Sequence, residues 1–169
     1  RYFFLGPIGP AIGPVLEDRS GKLWVGTTGG GLDEFDQRHQ RYVHHKNNPR
    51  DSLSLSNDNV EALCSSRDGT LWIGTGDASI SEYAPASNTF RRHFPDYRKS
   101  GGVGADVRAI LEDHTGLIWI AVPPTGLNSY ERPSDRWTQF VHDPRAGNDP
   151  SSNVAPGTLS LCEDRRGTI

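Results

Sequence analysis

One phrase recurs four times along this chain of 169 residues. It reads VLEDRSGKLWVGT from Val15, LCSSRDGTLWIGT from Leu63, ILEDHTGLIWIAV from Ile110 and LCEDRRGTI from Leu161 to the last residue. The glycines at its centre, Gly21, Gly69, Gly116 and Gly167, lie 48, 47 and 51 residues apart. Trp24, Trp72 and Trp119 each follow the glycine by three residues. Leu32, Ile80 and Leu127 follow it by eleven, Phe35, Tyr83 and Tyr130 by fourteen, and Tyr42, Phe90 and Trp137 by twenty-one. A unit this short buries its apolar face only by stacking on copies of itself, so the chain is a repeat protein.

Each unit reads as four short strands. A short apolar run such as Val60-Glu-Ala-Leu-Cys64 precedes a four-residue turn, Asp18 to Gly21, Asp113 to Gly116 or Asp164 to Gly167. Asp at the first place and Gly at the fourth suit a type I turn. A β-branched and aromatic strand follows (Leu71-Trp-Ile-Gly-Thr75), then Gly31-Leu-Asp-Glu-Phe35 and its equivalents, then Arg41-Tyr-Val-His44 and its equivalents. Helical periodicity is absent, and 19 Gly and 12 Pro exceed average usage. Four antiparallel strands per unit is the size of a β-propeller blade. The expected fold is all-β: a propeller fragment with three complete blades and a partial blade at each end.

The expected boundaries are 1–5 for the last strand of a preceding blade and 6–14 for a Gly/Pro linker. Blades 1, 2 and 3 are placed at 15–45, 60–94 and 107–141, and the first strand of a fourth at 158–169. Pro14 removes a ladder donor, so the first inner strand is expected to be short or irregular. The sequence has no Met, position 1 included, and is expected to be a piece of something longer with its outer blade faces open. The net charge of −3 gives no reason to bind nucleic acid, and no apolar run is long enough to cross a membrane.

Trp24, Trp72 and Trp119, flanked by Leu and Val or Ile, are expected in the core between blades. Trp137, on an outer strand, is expected to be partly exposed. Cys64 and Cys162 stand where other copies have Leu16 and Leu111, so both are expected to be core fillers, unbridged. His44 and His45 are adjacent and would point to opposite faces of a strand. His45 and His93 share a repeat offset, which suggests a structural role. The sequence shows no carboxylate partner in register, and no metal site is expected. The turn aspartates Asp18, Asp113 and Asp164 are expected to bond their own backbone. No nucleophile elbow, phosphate loop or paired-carboxylate motif appears, so the segment is expected to be non-catalytic and without a cofactor.

Binding is expected on one rim, where the connections 46–59, 95–106 and 142–157 meet the loops near Thr28, Asp77 and Thr125. The inner-strand starts Gly13, Glu61, Arg108 and Leu159 supply one oppositely charged pair, Glu61 and Arg108, at one repeat offset in adjacent blades. The candidate ligand residues are therefore Glu61, Arg108, Asp77, Thr28 and Thr125. The pair could orient a polar ligand or be a plain salt bridge between blades.

The pattern D-x-x-G-x-[LI]-W-[VI]-G-T, with Asn48-Pro-Arg-Asp-Ser-Leu-Ser-Leu-Ser-Asn-Asp-Asn-Val60 before the second inner strand, resembles the two-component regulator propeller repeat. The resemblance covers residues 15 to 169 and is strongest in the second copy. The first copy departs at Gly6–Pro14, the third at Ala121-Val-Pro-Pro124. The resemblance implies the periplasmic sensor region of an inner-membrane hybrid histidine kinase. It also implies a small-molecule or oligosaccharide ligand, and neighbouring blades and signalling domains in a parent chain as partners. The alternatives are a propeller enzyme of the streptogramin-lyase-like type and a protein-interaction scaffold.

Overall fold

In the computed structural model, residues 9–37, 40–94, 106–123, 126–140 and 160–169 are described. They form three separate four-stranded antiparallel sheets. Blade 1 holds β1 (Ala11–Glu17), β2 (Leu23–Thr28), β3 (Gly31–Asp36) and β4 (Arg41–His45). Blade 2 holds β5 (Val60–Ser65), β6 (Leu71–Thr75), β7 (Ile80–Ala84) and β8 (Thr89–His93). Blade 3 holds β9 (Ala109–Glu112), β10 (Ile118–Val122), β11 (Gly126–Glu131) and β12 (Arg136–Phe140). Among the described residues the one helical piece is a 3-10 turn, Arg132–Ser134. The all-β expectation holds.

The first two strands of each sheet are joined through the turn that carries the repeat glycine. Gly21 N donates to Asp18 O at 2.9 Å, and Gly69 and Gly116 close equivalent turns on Ser66 and Asp113. These glycines lie at φ of 82°, 86° and 89°, a region that costs a side-chain-bearing residue strain. The glycine after each tryptophan serves packing instead. A Cβ on Gly26 would fall 2.5 Å from Val60, and one on Gly74 2.3 Å from Val107, so the next inner strand approaches only because no side chain stands there. The third copy has Ala121 at this place.

Residues paired across a ladder share a face, and this sorts each blade into two surfaces. Leu16, Trp24, Glu34 and His45 of blade 1 face blade 2, which answers with Leu71, Ile73, Tyr83 and Phe90. Cys64, Trp72, Glu82 and His93 of blade 2 face blade 3, which answers with Ile118, Ile120, Tyr130 and Trp137. The two seams match in geometry. Trp24 meets Tyr83 edge-on at 5.2 Å and 67°, and Trp72 meets Tyr130 at 5.7 Å and 67°. Edge-to-face pairs of this kind are favoured by the ring quadrupole. The core therefore sits between blades, and each fully buried aliphatic or aromatic side chain there contributes about 1.5–3 kcal/mol.

A cation completes each seam from a different side. At the second, Arg132 of blade 3 lies 5.3 Å from the Trp72 ring centroid and donates to Thr70, Glu82 and Asp68 of blade 2. At the first, the residue equivalent to Arg132 is Pro85. Lys22 of blade 1 takes the role, 6.0 Å from the Trp24 ring and 2.6 Å from Glu34.

Four features differ from the sequence expectations. Trp24 and Trp72 are fully buried, but Trp119 is only half-buried, because no tyrosine of a following blade meets its ring among the described residues. Cys162 is exposed rather than packed, and Cys64 lies partly buried against the second seam; both are free thiols. β1 begins at Ala11, inside the segment expected to be a linker, while the irregularity expected at Pro14 is present as a register shift between Ile12 and Val15. Residues 160–169 form the Asp164–Gly167 turn without strand pairing. The strand expected at 1–5 lies outside the described residues. Trp137 is half-buried, as expected for its outer strand.

Candidate functional site

The inner strands β1, β5 and β9 lie side by side, and their starts share one rim. Glu61 is the second residue of β5, and Arg108 directly precedes β9. The Arg108 guanidinium reaches Glu61 Oε2 at 3.3 Å and Asp106 Oδ2 at 2.6 Å, bridging the two blades. Its main-chain N–H donates to Ala121 O at 2.9 Å, which fixes the base of the side chain. Sequence reasoning paired Glu61 with Arg108 but missed Asp106, whose own loop hid its register. A shallow depression of about 260 Å³ opens here, lined by Glu61, Arg108, Pro14, Ser160 and neighbouring aliphatics. One fork donor shared by two carboxylates can orient hydroxyls through donors and acceptors together.

The remaining candidates are placed as follows. Asp77 lies in the β6–β7 turn, where its Oδ1 accepts from Thr75 Oγ1 at 2.7 Å and Ser79 Oγ at 2.5 Å. Asp77 thus shapes the turn. Thr28 ends β2 opposite Ala11 and is exposed. Thr125 lies outside the described residues. The end of the 46–59 connection ties the rim together: Gly31 N donates to Asp58 O and Gly76 N to Asn59 O, both at 2.9 Å. A Cβ on Gly76 would lie 3.4 Å from Asp106 Oδ1, so the Asp77 turn and the Arg108 cluster adjoin.

The 46–59 connection is itself built structure. Arg92 on β8 donates from Nε to Ser54 O at 2.8 Å and from Nη2 to Asp51 O, Leu55 O and Ser54 Oγ. Asn47 Nδ2 donates to Leu55 O and Ser56 O at 2.8 and 2.7 Å, and Leu55 is fully buried beneath. An Arg on an outer strand gave no sequence signal for this clamp. The connections 95–105 and 142–157 lie outside the described residues.

His45, His93 and the turn aspartates belong to the scaffold. His93 Nε2 lies 3.0 Å from Glu82 Oε2, and His45 Nε2 lies 3.6 Å from Glu34 Oε2, each histidine between the aromatics of a seam. These are the carboxylate partners in register that sequence reading did not find. Burial lowers the His45 pKa, against the opposing pull of Glu34. Asp18 Oδ1 accepts from Ser20 N and Lys22 N, as expected, while Oδ2 accepts from the Trp24 indole at 2.8 Å. Burial works against its charge, yet the bonds from Ser20, Trp24 and Lys22 outweigh it and hold its carboxyl below the ordinary value. Asp113 repeats the arrangement with Trp119. Among the described residues no group of three or more His, Cys, Asp or Glu side chains gathers as metal ligands. Nor is any helix there long and apolar enough to cross a membrane.

Residues 54–77 match the family model of the two component regulator propeller, which places that repeat on β5, β6 and the loop before them. The chain is similar in structure to the extracellular domain of BT3049 from B. thetaiotaomicron, described as a hybrid two component system. The TM-score is 0.67 at 22% identity, over 78% of this chain and 18% of that one. It is similar also to the extracellular domain of BT4673 from the same organism, with a TM-score of 0.72 at 18% identity over 93% of this chain and 19% of that one. Virginiamycin B lyase from Staphylococcus aureus shares the fold at a TM-score of 0.60 and 13% identity, over 83% of this chain and 43% of that one. The fold is that of a β-propeller segment, and the chain spans about a fifth of the two extracellular domains. No curated protein sequence matches it.

Proposed function

We propose that this chain is a non-catalytic, ligand-sensing propeller segment of a bacterial two-component signalling protein, exposed outside the inner membrane. The observation that carries the reading is the family-model match at residues 54–77, in the copy whose loop, turn and Trp72 strand are most complete. The similarity to extracellular domains of hybrid two component systems supports it at the level of fold. In a parent chain the adjoining blades and signalling domains would be its partners.

The ligand is a small polar molecule, such as a glycan fragment, held at the rim where Glu61, Arg108 and Asp106 meet, with Asp77 and Thr28 on the adjoining turns and Thr125 as a further candidate from the sequence. A sugar presents donors and acceptors in alternation, which a guanidinium shared between two carboxylates can match. The test is calorimetric titration with candidate oligosaccharides, comparing the wild type with Arg108→Ala and Glu61→Ala. Loss of heat in both variants, with unchanged folding, is the expected result. Equal affinity in all three proteins would remove the pair from the site.

A further inference from the structure

At the rim, the mouth of the second seam carries more negative charge than its cation neutralises. Arg108 directs one terminal nitrogen to Glu61 Oε2 and the other to Asp106 Oδ2. A guanidinium has five N–H donors, so three are left without an acceptor among the described residues. Glu61 Oε1 and Asp106 Oδ1 likewise accept no hydrogen bond from the described residues. The two carboxylate side chains are 27% and 26% exposed, so water screens their charge only in part. The Asp77 turn adjoins them at Gly76, and the residues lining the depression bring no second cation. Two carboxylates, flanked by a third, thus share one guanidinium. Pro14 and Leu161, both half-buried, give the depression an apolar edge.

We infer that the ligand at this rim is an amino sugar, whose free ammonium seats at Glu61 and Asp106 while its hydroxyls accept from Arg108. The inference rests on the ligand-sensing reading above and narrows it to one charge class. An ammonium brings three donors and one positive charge, which are what the open carboxylate oxygens lack. The C–H face of a sugar ring suits the apolar edge at Pro14 and Leu161. A uronate of the same size would set its anion against two carboxylates, and Arg108, held by both, is not free to turn to it alone. Discrimination here works by repulsion as well as attraction. Acetylation of the ligand's nitrogen removes the charge and two of the donors, so the site separates a free amino sugar from its acetylated form.

Calorimetric titration of the full chain at about pH 6, where carboxylates are ionised and amines protonated, tests it. Three disaccharides are compared: one of glucosamine, its N-acetylated form, and one carrying a glucuronate. The glucosamine disaccharide is expected to bind about tenfold more tightly than the acetylated one, the worth of one hydrogen bond between charged groups. The glucuronate disaccharide is expected to bind most weakly, and added salt to narrow the gaps. Asp106→Asn and Glu61→Gln keep the shape and remove one charge each. Both are expected to bring the glucosamine affinity down towards that of the acetylated sugar, with an unchanged circular dichroism spectrum. Should one variant lose structure, the other and the salt dependence of the wild type carry the test. Equal affinity for all three sugars, or a preference for the glucuronate, would overturn the charge assignment and leave the sensing reading standing. A preference that survives both substitutions would place the ammonium elsewhere and overturn it too. If 1,4-diaminobutane bound as tightly as the amino sugar, the sugar assignment would fall. No heat from any of the sugars would remove the sensing reading together with the inference.

Discussion

The indole N–H of Trp24 donates across 2.8 Å to Oδ2 of Asp18, six residues earlier, at the far end of the hairpin that both belong to. The same carboxylate closes the turn through its other oxygen, so one side chain sets the hairpin and the tryptophan that the next blade packs against. Asp113 and Trp119 are joined identically, and in the second copy Ser66 Oγ accepts from Trp72 at 2.9 Å. The D-x-x-G-x-x-W phrase is thus one device, in which turn chemistry orients a seam residue.

Trp72 is fully buried between two blades, hydrogen-bonded to Ser66 and covered by Arg132 and Tyr130. Trp72→Ala is expected to cost about 3–5 kcal/mol, as large-to-small core changes do. Urea denaturation followed by circular dichroism measures it, and a loss below about 1 kcal/mol would contradict the packing role.

Stability should fall with acid in two stages. His45 titrates lower folded than its ordinary value of 6.5, so the unfolded chain takes the proton first. Its contribution is present above 6.5 and declines as pH drops below it, with Glu34, Asp33 and Lys22 as the charged neighbours. Asp18 and Asp113 also titrate lower folded than their ordinary 3.8, and their contribution is lost as pH falls further, through the folded values. The urea midpoint against pH reports both stages. His45→Phe, which copies Phe140 of the third blade, should flatten the first and leave the second.

Neighbouring turns are stapled by a carboxylate. Glu112 Oε2 accepts from Arg67 N at 2.7 Å, and Glu163 accepts from His114 N. The equivalent acceptor for Arg19 N would be residue 65, where Ser65 Oγ is buried without a partner. Ser65→Glu is expected to raise stability by about 1 kcal/mol, the net worth of an added hydrogen bond. A lower thermal midpoint would show that the longer side chain does not reach.

Arg92 holds the 46–59 connection through a fork that a lysine does not reproduce. Both Arg92→Lys and Arg92→Ala should increase hydrogen exchange at Leu53 and Ser54, with a local stability loss on the order of 2 kcal/mol. Exchange unchanged in the lysine variant would mean that charge alone suffices.

The repeat made the blades legible because turn, tryptophan and aromatic pair recur at fixed offsets, and strand pairing follows from those offsets. The seams were harder to read. His45 with Glu34, and His93 with Glu82, are eleven residues apart in sequence and meet only once the third and fourth strands are paired in register. Cys162 and Trp119 differ from expectation for one reason: repeat position specifies a seam residue, but burial also requires the blade opposite. At the candidate site the Glu61–Arg108 pair was visible as a shared offset. Asp106 and the Arg92 clamp rest on loop geometry that no periodicity encodes.

Lys22 and Arg132 do the same work from opposite sides of their seams, and this limits how the blades could be reordered. Each blade carries a key cut for the neighbour it has. A chain engineered to place blade 3 directly after blade 1 would bring Arg132 against Lys22, two cations contending for Glu34, while blade 2 set to follow itself would meet Thr70 with Pro85 and supply none. Recombination among such repeats is therefore expected to preserve the fold of each module and to weaken the joint, so that each blade is matched to its neighbour as well as to the fold.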